Sequence, residues 1–499
     1  MTSINSDQMS AMVLSSLNKT NSSMQQAMER LSTGKRINSA GDDAAGLSIS
    51  AKLRAQVDSL NAAIKNSSDA LAMVGTIEGA LVETTSILQR MRQLAVQSSS
   101  DTNTGNDRTY LQDEVNQLIT EINRISTNTE FNSTKLLDGT FTDKNIQIGT
   151  ASNQVLRLGV SATDSTKLGA FQLDSVDESV APVNTHALAK SALNALYSSS
   201  ADYTVKGTFG TFTASVDAGA DARDVASSFN LISGNTGVSA TALTKAKFTV
   251  SNAATFSFTL EGKSTTTSTI TATITSTTDL TAIKDAINSV SGSTGITAAL
   301  TSDKSGVEIT QSEGYDIIIG DVTTGSTDAN LVVTSMDMDG NLDSSARTLD
   351  GDATTGDSTA ITGTVRLSSQ NAYTISPGDG DNHFSAATTE LTAAHSSIAS
   401  VSLTTKEGAT KAMSVIDGAL LMISSIRSSM GSASNRLQST IDNLSNIAVN
   451  AQKSLSTIED ANFAEETAKL TKAQILAQAA TSMLAQANKA KETMLALLN

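Results

Sequence analysis

The chain has 499 residues and a formal net charge of −16, with no Cys, no Trp, two Pro and three His. That length gives roughly three to four domains at about 150 residues each. The absences exclude a disulfide framework, a thiolate metal site and a cysteine nucleophile. The charge is also unevenly placed: residues 141–400 hold 27 acids against 13 bases, a net of −14, so the two ends together carry only −2. An acidic chain repels phosphates and anionic lipid, which argues against nucleic acid or a membrane surface as partner. MTSINSDQMSAMVLSSLNKTNSS lacks the basic and apolar regions of a cleaved leader, and no continuous apolar run approaches 18 residues, so no membrane span is expected.

In chain order, Leu14, Leu17, Met24, Met28 and Leu31 mark an apolar stripe on an otherwise polar helix. A long seam then runs through Leu53, Val57, Leu60, Ile64, Leu71, Val74, Ile77, Leu81, Leu88 and Met91, with Ser67 and Thr84 as polar interruptions and a three-residue stutter near Val74. Residues 98–107, SSSDTNTGND, are a turn cluster that folds back a second seam through Leu111, Val115, Leu118, Ile122 and Ile125. Residues from about 140 to 400 are rich in Ser, Thr, Gly and Asp and read as strands and turns. Within them VASSFNLISGNTGVSAT (225–241) recurs as IKDAINSVSGSTGITAA (283–299), an internal repeat offset by 58 residues. Each copy reads as strand, helix and hairpin, the helix stopped by Gly237 or Gly295. In the second copy GVEITQSEGYDIII reads as two strands around a Ser-Glu-Gly turn. Ser264–Thr278 holds 12 Ser or Thr in 15 residues, strands suited to water on both sides.

The C-terminal part returns to helix through Met413, Ile416, Leu420, Ile423, Ile426, Met430, Leu437, Ile441 and Leu444. A last stripe follows at Ile475, Leu476, Met483, Leu484, Leu495 and Leu498. A helix with one narrow stripe of this kind is marginal alone, so both terminal stripes point to subunit contacts and to ends that order on assembly.

No catalytic constellation emerges. The histidines lack metal-ligand spacing, and STGKR at residues 32–36 lacks the upstream Gly and following Ser or Thr of a phosphate loop. Asp337, Asp339, Asn341 and Asp343 in MDMDGNLD imitate a calcium loop, but Leu342 stands where Gly is needed and Thr348 where a bidentate Glu belongs, so a solvated turn is expected. RLSTGKRINSAGDDAAGLSIS (30–50) joins the outer stripe to the first long seam and reads as a spoke between two assembly layers.

Several of these segments together resemble bacterial flagellin. They are RLSTGKRINSAGDDAAGLSIS, LQRMRQLAVQSSS (88–100), FNSTKLLDG (131–139), NRLQSTIDNL (435–444), EDANFAEE and QILAQAATSMLAQAN. The resemblance implies an α + β chain whose N- and C-terminal segments pair into an α-helical coiled-coil shaft, with a β-rich variable middle facing outward. Its segments would be an inner-core helix at 1–44, long helices and a β-hairpin at 45–178, the middle at 179–402 with units at about 205–262 and 263–320, a shaft helix at 403–453 and a second inner-core helix at 454–499. It implies a helical homopolymer, export through the flagellum's own type III apparatus to an extracellular filament, and contacts with an export chaperone, cap and hook-junction proteins. It implies no enzyme activity, cofactor or metal. LQRMRQLAVQ is similar to the stretch bound by the Toll-like receptor for flagellin, which assigns Gln89, Arg90, Leu94 and Glu114 to that contact and to protofilament packing. Met91 and Gln93 stand where many stimulatory flagellins have Val and Glu. Alternatives are a hook-filament junction protein and a filament subunit whose middle also adheres to surfaces.

Overall fold

The computed structural model describes residues 8–100, 102–175, 180–183, 200–264, 266–301, 303–325, 328–351, 358–377, 384 and 390–497. His186, His383 and Leu498 lie outside these residues. The seven longest helices of the described chain are α1 Gln8–Thr33, α2 Ala44–Ser98, α3 Gly105–Asn128, α4 Ala222–Leu231, α5 Thr281–Ser289, α6 Lys406–Glu459 and α7 Phe463–Leu497, with single turns at Ser233–Thr236, Ser291–Thr294 and Ile398–Ser400. The chain divides into two compact units, and α2 and α6 contribute to both.

The first unit comprises residues 1–75, 143–159 and 431–499. Its core sets Val57, Leu60 and Ala63 of α2 against Leu444, Ala448 and Ala451 of α6. The hairpin of Lys144–Gln147 and Val155–Leu158 completes it, with the Asn66 amide donating to the Gln147 carbonyl at 3.3 Å.

The seam of α2 corrects the expected register. From Leu60 the buried seam positions are Ala63, Ser67, Ala70, Val74, Ile77, Leu81, Thr84, Leu88, Met91, Ala95 and Ser98, with Ile87 and Leu94 also buried beside them. The seam positions step regularly by three and four, so no stutter exists. Ala63 and Ala70 take the seam, while Ile64 and Leu71 stand half-buried beside it. A small residue lets a facing helix approach closely, and the larger neighbour covers the flank. The same substitution occurs in α6, where Ala412 and Ala419 are buried and Met413 and Leu420 half-buried. At the polar seam positions the Ser67 and Thr84 hydroxyls donate within the helix to the carbonyls of Ala63 and Ala80, and Ser98 donates to Leu403 O at 2.7 Å. By length and composition α2 and α6 could each cross a bilayer, but each also carries a seam buried against the same chain, while Val82, Val96, Leu421 and Val449 stay exposed.

The second unit holds residues 76–142 and 160–430. Here α2 and α6 run antiparallel, joined by Glu78–Arg427 and Arg92–Asp417 ion pairs at 2.7 and 2.6 Å. The fold-back to α3 starts in a reciprocal cap, Thr104 Oγ1 accepting from Asp107 N–H while the Asp107 carboxylate accepts from Thr104 N–H. The β region has three larger sheets, all antiparallel. In the five-stranded sheet the order is Ser268–Thr273, Thr255–Glu261, Ile317–Thr324, Ser358–Ile361 and Val180–Val183. A four-stranded sheet runs Leu391–Thr392, Thr374–Pro377, Ala201–Lys206 and Thr211–Val216. The largest sheet is built on the long strand Ser239–Val250, which pairs with Val307–Gln311, Thr364–Ser369 and Asn330–Met336.

The internal repeat survives down to single hydrogen bonds. Asn230 accepts from Ala240 N–H at 2.8 Å and donates to Ala240 O at 2.9 Å; Asn288 does the same with Ala298 at 2.8 and 2.9 Å. Gly237 and Gly295 end the helical segments at φ 78° and 70°, a left-handed turn that favours glycine. Each copy has its own core, one around Tyr203, Phe229 and Phe384, the other around Phe248, Phe256 and Phe258.

Two expectations about this repeat change. The hairpin of Thr255–Glu261 with Ser268–Thr273 precedes the second helix and straddles the expected division at 262/263, so the second unit starts near residue 255. And the Ser-Glu-Gly turn makes no hairpin: Val307–Gln311 pairs in the large sheet, whereas Ile317–Thr324 pairs in the five-stranded one. The Gln311 side-chain oxygen accepts from Glu313 and Tyr315 N–H, which removes those amides from cross-strand pairing. Gly314, at φ 81°, passes where a Cβ would lie 2.4 Å from Ala242 Cβ, so the chain crosses between sheets there.

The calcium-like turn also resolves differently. Asp337 accepts from the Asn341 backbone and side chain at 2.7 Å each, and Asp339 is engaged by Arg366 at 2.8 Å and by Lys411. Arg366, 6 % exposed, also grips Asp174 through two bonds of 2.6 and 2.7 Å. Burial pushes the Asp339 carboxyl up, but Lys411 and Arg366 outweigh it and hold the group below its usual range. The turn is thus an ion-paired anchor between sheet and α6 rather than a solvated loop. Among the described residues no group of three metal-ligating side chains occurs, and His395 lies against Phe171 at 4.8 Å between ring centroids.

Candidate assembly interface

Residues 30–50 form a clasp within the first unit. Gly34, at φ 70°, turns the chain after α1 so that its carbonyl accepts from Ala461 N–H at 2.9 Å, while Arg36 N–H donates to Glu459 O at 2.6 Å. The Arg36 guanidinium reaches the Ile458 carbonyl at 2.8 Å. Glu459, its side chain 7 % exposed, receives Lys35 at 2.5 Å and Arg54. The hydrogen bond from Arg54, then that from Lys35, holds its carboxyl below the ordinary range. In the first turn of α7 Glu466, also buried, takes Lys469 at 2.9 Å and Arg30 at 3.5 Å. Asp42 closes the loop by accepting from the Ser39 and Asn38 amides and from Gln26, which lowers its pKa in that setting, Ser39 contributing most.

Beyond the clasp α1 and α7 pack along one another. Their close contacts use small residues, Ala27 and Ala473 being 2 % and 5 % exposed. The predicted stripes are left largely outside: Leu14 and Met28 are 50 % and 46 % exposed, Ile475 and Met483 64 % and 62 %. Leu476 is exposed, and Leu17, Met24, Leu31 and Leu484 are half-buried. Leu495 belongs to α7, but its side chain lies outside the described residues.

In the second unit Arg90 pairs with Glu114 of α3 at 2.8 Å and leans on Gln93, with Gln89 exposed beside it. Leu94 is 1 % exposed and lies beneath this surface. Of the four residues assigned there by resemblance, Gln89, Arg90 and Glu114 are accessible and Leu94 is buried. The clasp's acidic half was not singled out from sequence. Its signal was charge complementarity between Arg30, Lys35, Arg36 and Arg54 and the EDANFAEE segment, in ends that are otherwise nearly neutral.

Paired helices with unfilled apolar stripes, a helical shaft and an independently cored β region define a structural protein built to assemble. Residues 4–142 match the model of the bacterial flagellin N-terminal helical region, residues 413–498 that of the C-terminal helical region, and residues 255–313 the flagellin hook IN motif. B-type flagellin of Pseudomonas aeruginosa is 35 % identical over 97 % of this chain and 96 % of its own length. Flagellin of Salmonella typhimurium is 31 % identical over 99 % of both chains. Among solved structures, FliC from Burkholderia pseudomallei is 14 % identical at a TM-score of 0.29, covering 73 % of this chain and 99 % of its own. The chain belongs to the bacterial flagellin family and is a subunit of the flagellar filament, a family of structural proteins whose members polymerise with themselves. The hook IN match falls on the second repeat copy, beginning at Thr255 where its hairpin begins.

Proposed function

We propose that α1 and α7 drive polymerisation by burying their stripes between neighbouring copies. The observation that carries this is the exposure of Ile475, Met483, Leu14 and Met28 on helices already paired through alanines. Burial releases about 25 cal/mol per Å² of apolar surface, and contacts between different patches propagate as a filament instead of closing. The acidic middle faces solvent. A chain with no Cys and two Pro passes unfolded through the flagellum's own type III export route, met by a chaperone inside the cell and by cap and hook-junction proteins outside.

Gln89, Arg90 and Glu114, underlain by Leu94, serve both protofilament packing and docking of the Toll-like receptor for flagellin. Their accessible ion pair supports this reading. Removing residues 454–499 is expected to leave monomers that never form filaments by electron microscopy; filaments from that truncated chain would overturn the assembly reading. Arg90→Ala is expected to reduce signalling in receptor-expressing reporter cells, and an unchanged response would remove that surface from the contact.

A further inference from the structure

The two repeat copies share a feature beyond their helices. In each, a hairpin precedes the helix, and the second strand of that hairpin ends a sheet: Thr211–Val216 in the first copy and Ser268–Thr273 in the second. The direction of their backbone groups follows from neighbouring bonds. Ile274 N–H donates to Ala254 O, so in alternation Ala272 and Ile270 face the partner strand while Thr269, Thr271 and Thr273 aim N–H and C=O outward. Gly207 N–H donates to Gly210 O, which by the same alternation turns Thr211, Thr213 and Ser215 outward. Among the described residues, neither outward edge has a strand partner.

Proteins usually guard such edges with charge, proline or a bulge, because an open row of amides recruits another strand. TFTASV and STITAT carry neither charge nor proline, within a region of net −14, and each pairs with its inner neighbour without a register shift. Phe212 on the first edge is 42 % exposed and Phe209 beside it 64 %, which adds apolar surface for a partner to cover. The two edges are six residues each and differ in sequence. A filament propagates through heterologous contacts, in which one patch meets a different patch on the next copy.

We propose that Thr211–Val216 of one copy pairs edge to edge with Ser268–Thr273 of a neighbouring copy, joining outer regions along the filament. This rests on the filament reading above. Pairing converts two rows of water-facing backbone groups into a shared ladder and covers Phe212.

The absence of native cysteine allows a direct test in full-length chain. Antiparallel in-register pairing sets Thr213 opposite Thr271 and Ser215 opposite Thr269, so Thr213→Cys with Thr271→Cys is assembled and treated with a short bis-maleimide. Covalent ladders are expected in filaments at about tenfold or more over free subunits at equal concentration, because held neighbours react at millimolar effective concentration. Ser215→Cys with Thr269→Cys is the second pair should the first fail to fold. Filaments without ladders would overturn the pairing and leave the filament reading intact. Covalent dimers from filaments of a variant with one cysteine alone would overturn the heterologous contact. Failure of the parent chain to form filaments would overturn both.

Discussion

The helical ends and the β-rich middle solve stability in opposite ways. In the middle, Phe248, Phe256 and Phe258 are at most 1 % exposed and each repeat copy closes a core of its own. In α1 and α7, Ala27 and Ala473 are buried and the large apolar residues are not. Apolar burial is the dominant favourable term in folding, and a segment that leaves Ile475 and Met483 mostly in water forgoes it within the single chain, which is what the assembly proposal rests on. The middle closes its cores within one chain; the ends, on the assembly proposal, are completed by neighbours.

That contrast is sharpened most by a core truncation. Phe258→Ala should destabilise the middle by about 3–5 kcal/mol in chemical denaturation while filaments still form, since its core is local. Loss of filaments would couple the two regions more tightly than the separate cores imply. Arg366→Ala comes next: it strands Asp339 and Asp174 around a buried site, for about 3 kcal/mol, the low end of the range because Asp174 is 43 % exposed. Asn288→Ala should cost about 1–3 kcal/mol by orphaning both backbone groups of Ala298, and Asn230→Ala should match it if the copies are equivalent.

At the ends the expected pattern reverses. Ile475→Ala should change monomer stability by less than about 0.5 kcal/mol, as at other exposed positions, yet raise the critical concentration for assembly. A monomer effect as large as in the middle would mean the stripe is already buried. The clasp adds a pH dependence. Glu459 has a carboxyl held below its unfolded value, so its contribution is complete above the ordinary glutamate pKa near about 4.3 and lost as pH falls through the lower folded value. Acid titration of α1–α7 helicity should therefore show a step that Glu459→Gln removes.

Much of this was legible without coordinates. Periodicity located the long helices, the Gly-terminated repeat helices appeared where the repeat put them, and the terminal stripes were readable as unpartnered. The seam through Ala63 and Ala70 was less legible, because hydropathy ranks Ile64 and Leu71 higher while close packing prefers the smaller side chain. The clasp around Glu459 was hidden by about 400 residues of separation from Lys35 and Arg54.

The sequence by itself determined the helical ends, the β-rich acidic middle, the doubled unit and the family, since each depends on local pattern. Only the tertiary structure decided which face of α2 is buried, that the Gln311–Tyr315 segment crosses between sheets, and that Asp339 anchors Arg366 and Lys411 instead of offering a calcium loop. Those outcomes turn on space and on partners distant in the chain, which no local pattern records.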